Sequence, residues 1–522
     1  MGNPSDRTQQ GQTGSTPNHS ITVVDNRTGK SYLIPIKNNS IPATAFKGIK
    51  ASPHSVFGEP DRSEDETIGG LRVYDPAYMN TAVVRSTITY INGEEGVLRY
   101  RGYPIQDLAK RSNFLEVAYL LLYGDLPTSA QFQLWQDEVM HHTFIHSDVE
   151  GLFKSFRYDS HPMSMLTAAF AALGAFSSEA NPSLAGQSLY TRGATGDSES
   201  LKVLDKQILR LIGKAPTLAA AAYRVRQGRP FNRPAKGLSY TANFLYLLDN
   251  LNEKDYQPHP VFEKALDTLF ILHADHEMNC STATMMQVGS SLVDPYSAIS
   301  AACAALYGPA HGGASESAIR MLMEIGRPEN VPSFIEKVKS KQRVLSGFGH
   351  RVYRNFDPRS IAIRELAEEV FKVTGRNQLL DTALHLAETA LKDEYFISRR
   401  LYPNIDFYSG LVYQAMGFSL DFYPVLFAVP RCVGWLAHWR QMILTSPDQG
   451  GVKIWRPRQI YVGESEREYQ EIQQRSDQQT WKDDQEEFKK RPVQVPHGGD
   501  SKRNAMATYR DERGRLYHAS KL

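Results

Sequence analysis

The stretch Gly347–Arg359 reads G-F-G-H-R-V-Y-R-N-F-D-P-R, and it concentrates glycine, histidine and arginine in one short segment. Two glycines flank Phe348 and lead into His350, and arginines follow at 351, 354 and 359. Glycine lets the backbone approach a ligand closely, the arginine fork matches carboxylate and phosphate, and a neutral histidine can donate a hydrogen bond. The stretch indicates a site for an anionic ligand, although a loop with a solvated basic edge remains an alternative.

Length and charge limit the classes of protein. The chain has 522 residues, of which 41% are hydrophobic, and a net charge of +2. This length corresponds to about three domains. A charge so close to neutral argues against a general role at nucleic acid or at a membrane surface. We therefore expect no nucleic-acid partner.

The cysteines predict neither disulfides nor a metal site. Cys280, Cys303 and Cys432 are an odd set without short spacing, and each lies among apolar residues. Such residues are typical of buried free thiols.

Targeting signals point to one compartment. The best candidate for a membrane span, Phe422–Ala437, contains Pro424, Pro430 and Arg431, so we expect no membrane insertion. The first twenty residues contain neither an apolar run nor a cluster of arginines. The tripeptide Ser520–Leu522 reads S-K-L, an address that a peroxisomal import receptor recognises. These features predict a protein of the peroxisome or glyoxysome matrix.

Hydrophobic patterns predict a mainly helical, all-α protein with a short N-terminal β arm. Residues 20–36 predict a hairpin, and Ala82–Ile91 and Val97–Tyr100 predict a second strand pair. From Ile105 onward apolar residues recur with helical spacing. The clearest ranges are 163–178, 236–250, 294–306, 314–326, 360–374, 378–393, 408–418 and 425–443.

Two further motifs carry groups that could perform chemistry. His311 lies in G-P-A-H-G-G just before a predicted helix, where the helix dipole disfavours imidazolium and a neutral ring can donate to a developing enolate. Asp406 lies among apolar and aromatic residues, where a partly desolvated carboxylate is a stronger base. Taken singly, a packed histidine and an ordinary helix N-cap explain these residues as well.

Two arginines complete the set. Arg431 interrupts an apolar predicted helix and so needs an anionic partner. Arg456 follows in W-R-P-R. Together with Arg359, these cations suit a dicarboxylate electrophile that reacts with a carbonyl compound losing an α-proton.

A metal-dependent hydrolase is an alternative of another class. His273 and His276 stand at i and i+3 in H-A-D-H-E, but this is not the H-E-x-x-H arrangement and no third ligand is evident. Such an enzyme would lose activity with a chelator, and it leaves the arginines unexplained. We expect no metal.

Several of these motifs, in this order, resemble those of citrate synthase. The resemblance covers roughly residues 68–464, and the early β arm is similar to that of bacterial-type members. The matching stretches are 74–76, 95–102, 273–277, 308–313, 347–359, 403–410, 430–439 and 455–463.

The resemblance implies a large helical domain and a smaller, mobile helical domain that closes on it. The expected boundaries are an N-terminal segment at 1–67, the large domain at 68–312 and 425–463, the small domain at 313–424, and a charged extension at 464–522. It also implies a homodimer.

The resemblance further implies condensation of acetyl-CoA with oxaloacetate, followed by hydrolysis of the citryl thioester, without a metal or redox cofactor. By motif position, Asp406 would take the methyl proton, His311 would hold the thioester oxygen, and His350 would polarise the ketone and assist hydrolysis. The other implied roles are carboxylate binding by His273, Arg359, Arg431 and Arg456 (the last from the neighbouring subunit), pocket lining by Phe427, and CoA binding by Arg354, Gly347 and Ser346.

Two alternatives within this fold stay open at the level of sequence. The first is 2-methylcitrate synthase, which uses propionyl-CoA, because one methylene is worth only about 1–3 kcal/mol in a pocket. The second is a non-catalytic scaffold, which would usually lack one of His311, His350 or Asp406, yet all three are present.

Overall fold

The structure is a computed structural model. It describes residues 19–50, 70–181, 183–184, 187–253, 255–354, 356–376, 378–446, 451–461, 463, 467–475, 508–510 and 516–518. The expectations for residues 1–18, for most of the charged extension and for Ser520–Leu522 concern positions outside these ranges.

The described residues are mainly helical, as predicted. The strands are β1 (Ser20–Asp25), β2 (Lys30–Pro35), β3 (Thr89–Asn92), β4 (Val97–Tyr100), β5 (Tyr103–Pro104), β6 (Thr508–Arg510) and β7 (Leu516–His518). The helices are α1 (Ile105–Arg111), α2 (Phe114–Tyr123), α3 (Ser129–His141), α4 (Ser147–Ser155), α5 (Pro162–Ala175), α6 (Gln187–Gly193), α7 (Ser198–Arg226), α8 (Tyr240–Asp249), α9 (Pro260–His273), α10 (Cys280–Gly289), α11 (Pro295–Leu306), α12 (Ala314–Ile325), α13 (Val331–Lys339), α14 (Arg359–Thr374), α15 (Gln378–Lys392), α16 (Glu394–Ser398), α17 (Ile405–Ala415) and α18 (Tyr423–Ile443).

The chain divides into two compact units, Met1–Arg85 with Pro457–Leu522 and Ser86–Arg456. In the first unit, β1 and β2 form the predicted antiparallel hairpin, with Ser20 opposite Pro35. The second unit contains helices α1–α18 together with the sheet β3–β4–β5, in which Thr89 pairs with Tyr100. Strands β3 and β4 confirm the second predicted pair, but β3 starts at Thr89 rather than Ala82.

Helix α18 lies at the centre of the second unit, where it packs against α2, α7, α9, α10 and α11. Nearly all of its residues are buried, as expected for a core helix. Pro430 lies inside this helix without ending it, in agreement with the helix predicted at 425–443. Among the described helices, only 420–443 is long and apolar enough to cross a membrane, and 89% of its apolar window is buried in the protein.

The segment 347–359 is held in place by contacts with residues 402–404, which are distant in sequence. Phe348 forms a bridge with Pro403, Gly349 N donates to Tyr402 O (2.8 Å), and Asn404 N donates to Gly347 O (3.0 Å). Gly347 has a φ of +78°, and a Cβ there would lie 3.0 Å from the Phe407 side chain. Only glycine fits this close approach without strain. The pairing brings His350 and the start of α17 into one neighbourhood.

Candidate active site

Asp406 lies in the first turn of α17 and does not cap it. The cap is Asn404, whose side-chain Oδ1 accepts from the amides of Asp406 (3.0 Å) and Phe407 (3.3 Å). The N-cap alternative for Asp406 is therefore wrong, because Asn404 already satisfies these amides. Asp406 Oδ1 is buried and has no hydrogen-bond partner among the described residues. Burial raises the pKa of this carboxyl to about 7, although Arg359 opposes the shift.

His311 lies just before α12, as expected, and one of its ring nitrogens is occupied. Its Nε2 accepts from Ser281 N (3.3 Å) and lies 2.9 Å from the Ser281 hydroxyl. Burial and the charge of Arg431 lower its pKa to about 4, so the ring is neutral at neutral pH. Because an amide can only donate, Nε2 is unprotonated and the proton lies on Nδ1. This N–H can donate to a substrate oxygen.

His350 also accepts from backbone amides, but at Nδ1, whereas His311 accepts at Nε2. Its Nδ1 accepts from the amides of Val352 (3.0 Å) and Tyr353 (3.2 Å). Burial and Arg359 lower its pKa to about 4. The neutral ring therefore carries its proton on Nε2. The site thus contains two neutral histidines. In each ring, a backbone amide donates to one nitrogen, so the proton lies on the other nitrogen.

Arg431 is a buried cation that forms no ion pair with the acidic side chains the structure describes. Its Nε donates to the carbonyl oxygen of His273 (2.6 Å), and its guanidinium lies 4.6 Å from the centre of the Phe427 ring. No ion pair joins it to an acidic side chain within the described ranges. Burial lowers its pKa to about 10, so it remains charged. A buried charge without a partner is costly, which makes Arg431 a candidate for binding an anionic substrate.

Arg359, in contrast, has its own carboxylate. Its Nε and Nη2 contact the two oxygens of Asp357 at 2.9 and 2.7 Å, and both side chains are buried. Burial alone would raise the pKa of Asp357, but Arg359 holds it below its usual value. The pair is fixed through two nitrogens, so Arg359 can offer an anion only a part of its fork.

His273 packs against Phe427, but its ring N–H donates to a backbone carbonyl oxygen. Its Nδ1 lies 2.8 Å from Leu269 O, and its ring packs against Phe427 with centroids 4.4 Å apart. Burial lowers its pKa to about 3. A carbonyl oxygen can only accept, so Nδ1 is the protonated nitrogen and the neutral ring has only an acceptor left. Carboxylate binding by His273 stays a prediction that this geometry does not favour.

Sequence reasoning missed two residues of the site. His276 is buried, and its ring centroid lies 5.2 Å from that of His350. Tyr353 is also buried, and its hydroxyl lies 3.2 Å from His276 Nε2. The H-A-D-H-E motif points to His276, but only as a possible metal ligand. The position of Tyr353 depends on a contact between distant segments, which no local pattern reveals.

The remaining predicted residues are Arg456, Arg354, Ser346 and Gly347. Arg456 is exposed and has no hydrogen bond or ion pair among the described residues. Arg354 is exposed and pairs with Glu94 (3.3 Å). Gly347 belongs to the segment that pairs with 402–404, because its carbonyl oxygen accepts from Asn404 N (3.0 Å), and Ser346 precedes it.

The two histidines of H-A-D-H-E do not converge as metal ligands. His273 turns its Nδ1 to Leu269 O, whereas His276 contacts Tyr353. Within the described ranges, no group of three or more His, Cys, Asp or Glu side chains could hold a metal ion. The geometry gives the hydrolase alternative no support.

The arrangement of this site suits an enzyme that removes a proton beside a carbonyl group and binds an anionic partner substrate. The citrate synthase family model, described as "Citrate synthase, C-terminal domain", matches residues 77–458. The chain is 54% identical over 449 residues to "Citrate synthase, peroxisomal" of Dictyostelium discoideum, covering 86% of each chain. It is 50% identical over 450 residues to "Citrate synthase, glyoxysomal" of Cucurbita maxima, covering 86% of this chain and 82% of that one. The chain belongs to the citrate synthase family.

A solved structure extends the similarity to the fold. Citrate synthase from Thermoplasma acidophilum, in a ternary complex with carboxymethyl coenzyme A and oxaloacetate, matches with a TM-score of 0.66 and 30% identity. The match covers 76% of this chain and 98% of that one. The expected fold, family and acyl-transferring activity are thereby confirmed, and the names of the two relatives agree with the expected peroxisomal or glyoxysomal location.

Proposed function

We propose that this enzyme condenses acetyl-CoA with oxaloacetate and water to give citrate and CoA, with Asp406 as the base. The observation that carries the proposal is the Asp406 carboxyl, which has one buried oxygen without a hydrogen-bond partner among the described residues and a pKa of about 7. A base with a pKa near the working pH is the most effective in general catalysis. The relatives reported above are named citrate synthases, and nothing about them supports 2-methylcitrate synthase.

In the first step, Asp406 takes a proton from the methyl group of acetyl-CoA. The thioester oxygen becomes an enolate oxygen, and the Nδ1–H of His311 donates a hydrogen bond to it. A donor placed where an oxyanion develops is worth about 10²–10³ in rate in other enzymes. A neutral donor suits this step, since His311 has a pKa of about 4.

In the second step, the enol carbon attacks the ketone of oxaloacetate. The Nε2–H of His350 polarises the ketone oxygen and later assists hydrolysis of the citryl thioester. Arg431 and Arg359 hold the carboxylates. We assign the additional donor role to His276 rather than His273, because His276 lies beside His350 and retains a nitrogen outside its contact with Tyr353. Phe427 lines the pocket between His273 and Arg431.

We also propose that residues 313–424 move as the small domain and exclude water until the new carbon–carbon bond has formed. In support, helices α12 and α14 both pack against α17 within this range. Exclusion of water protects acetyl-CoA from hydrolysis before condensation. CoA binding by Arg354, Gly347 and Ser346 belongs to the same proposal. Arg354 would exchange its partner Glu94 for a phosphate.

The proposed assembly is a homodimer in which Arg456 enters the site of the other subunit. Its exposure supports this arrangement, as does the absence of a hydrogen bond or ion pair to it among the described residues. The proposal uses acetyl-CoA as a substrate and requires no metal or other cofactor.

A peroxisomal import receptor is a further proposed partner, through Ser520–Leu522. The names of the relatives support the compartment, and the tripeptide supports the route. A fluorescent fusion that ends in these residues should enter peroxisomes, and the same fusion without them should stay in the cytosol.

The function is tested by steady-state thiol release with oxaloacetate, comparing acetyl-CoA with propionyl-CoA, with and without chelator. A much larger kcat/KM for acetyl-CoA that does not change with chelator is expected. A preference for propionyl-CoA would overturn the assignment of citrate as the product, and loss of activity with chelator would overturn the metal-free mechanism.

A further inference from the structure

Tyr353 touches two histidines of the site, yet the proposed mechanism leaves it without a role. Its ring centroid lies 4.7 Å from that of His350 and 5.5 Å from that of His276. The rings of His276 and His350 are 5.2 Å apart, so the three rings form one mutual cluster. The side chain of Tyr353 is buried.

The first contact concerns His350. The amide of Tyr353 donates to His350 Nδ1 (3.2 Å), and its ring packs against the imidazole at an interplanar angle of 40°. The amides hold one edge of the imidazole and the phenol ring packs against it. Rotation of His350 away from the substrate would therefore break both contacts.

The second contact concerns the protonation of His276. The Tyr353 hydroxyl lies 3.2 Å from His276 Nε2. In the described part of the chain, this nitrogen is the only hydrogen-bond partner of the hydroxyl. A buried hydroxyl is stabilised when its proton has an acceptor. If Tyr353 donates, Nε2 of His276 is unprotonated and the proton of the neutral ring lies on Nδ1.

The Tyr353 hydroxyl also stays protonated, because burial raises its pKa far above the usual value. Burial lowers the pKa of His276 well below its usual value. Both groups are therefore neutral at neutral pH. An O–H donor facing an imidazole acceptor is the arrangement that satisfies both of them.

We propose that Tyr353 is a positioning residue, whose hydroxyl selects the Nδ1–H form of His276 and whose ring keeps His350 directed at the substrate ketone. This inference rests on the proposed function, since it assigns the two histidines to the binding of oxaloacetate. The Tyr353 side chain has two separate effects. The hydroxyl acts on substrate binding through His276, and the ring acts on turnover through His350.

Two variants separate these effects. Tyr353→Phe removes only the hydroxyl, and we expect the KM and Kd for oxaloacetate to rise about tenfold, with kcat changed less than about threefold. Tyr353→Leu also removes the aromatic ring, and we expect kcat to fall by a further factor of about ten or more. Tyr423→Phe is the matched control, because Tyr423 is buried and its hydroxyl has no partner among the described residues.

The outcomes distinguish this inference from the proposed function. If the wild-type enzyme forms no citrate, the proposed function fails first. If the wild type is active and Tyr353→Phe matches Tyr423→Phe in KM, Kd and kcat, the role of the hydroxyl is refuted. Equal kcat in Tyr353→Phe and Tyr353→Leu, with both proteins folded by circular dichroism, refutes the role of the ring.

Discussion

Asn404 and Asp406 share the start of α17, and the Asn404 side chain accepts the amide hydrogen of Asp406 at 3.0 Å. Because the asparagine caps the helix, the carboxyl of the aspartate is not needed there. One of its oxygens remains buried and unpartnered among the described residues. Because Asn404 caps α17, the carboxyl of Asp406 remains available as a base.

The first prediction concerns pH. Burial raises the pKa of Asp406 to about 7, whereas burial lowers those of His311 and His350 to about 4. The base must be deprotonated, so kcat/KM should fall as the pH drops below about 7, approaching tenfold per unit. Both histidines remain neutral over most of that range.

Asp267 provides the control for this pH profile. Burial also raises its pKa to about 7, but it accepts from the amide of Phe114 (3.1 Å) and has no role in the proposed mechanism. Asp267→Asn should retain the acid limb of the profile. A wild-type profile that stays flat down to pH 5, or loss of the limb in Asp267→Asn, would contradict the assignment to Asp406.

The second prediction concerns Arg431. Arg431→Leu should weaken oxaloacetate binding by about 2–3 kcal/mol, which is tens- to over a hundredfold, because a charge-assisted contact is lost. The ligand-free variant should melt at the same temperature as the wild type or above it, because the substitution removes a buried charge that has no ion pair among the described residues. Calorimetric titration and thermal melts check both statements.

Arg440→Leu on the same helix is the matched control. Arg440 pairs with Asp205 at 2.8 Å, so its removal changes a charge on α18 away from the proposed site. It should leave the Kd for oxaloacetate unchanged. An unaltered Kd in Arg431→Leu would remove Arg431 from the carboxylate site.

The third prediction concerns Gly93, in the turn between β3 and β4. A Cβ there would lie 2.1 Å from the carbonyl oxygen of Val352, whose amide holds His350. Gly93→Ala must displace this backbone, and we expect kcat to fall about tenfold, with a loss of stability of about 1–3 kcal/mol. Gly151→Ala, where a Cβ meets no atom within 4 Å, should retain full activity. Unchanged kcat in Gly93→Ala would show that this turn does not support His350.

The fourth prediction concerns the shared site. Homodimers of Asp406→Asn and of Arg456→Leu should each be impaired. Co-expressed and purified as a mixed dimer with two different tags, the pair should regain about half of the wild-type activity per dimer. One of its two sites then combines an intact Asp406 with an intact Arg456 from the other chain. No recovery in the mixed dimer would place Arg456 in its own chain's site or outside any site.

The spacing of apolar residues predicted most of the helices, because the buried face of a helix recurs with the helical period. The range 314–326 was found as Ala314–Ile325 and 425–443 as Tyr423–Ile443. Helix α13 was not predicted, since it is short and has Pro332 in its first turn. Pro430 is tolerated inside α18 because packing on all sides outweighs its local effect.

The site was predictable only in part. His311, His350 and Asp406 stand in motifs, whereas their protonation depends on contacts between distant segments. The amide of Ser281 that fixes His311 is thirty residues away. The bridge between Phe348 and Pro403 that brings His350 near α17 is likewise invisible to local pattern. Tyr353, the contact of His276 with it and the orientation of His273 were missed for the same reason.

The most direct test of the account is the turnover of Asp406→Asn, measured by thiol release with acetyl-CoA and oxaloacetate. The amide has nearly the same shape but cannot take the methyl proton. We expect kcat to fall by about 10²–10⁴-fold, while the Kd for oxaloacetate stays within about threefold of the wild-type value. A near-normal kcat in a folded variant would contradict the assignment of Asp406 as the base.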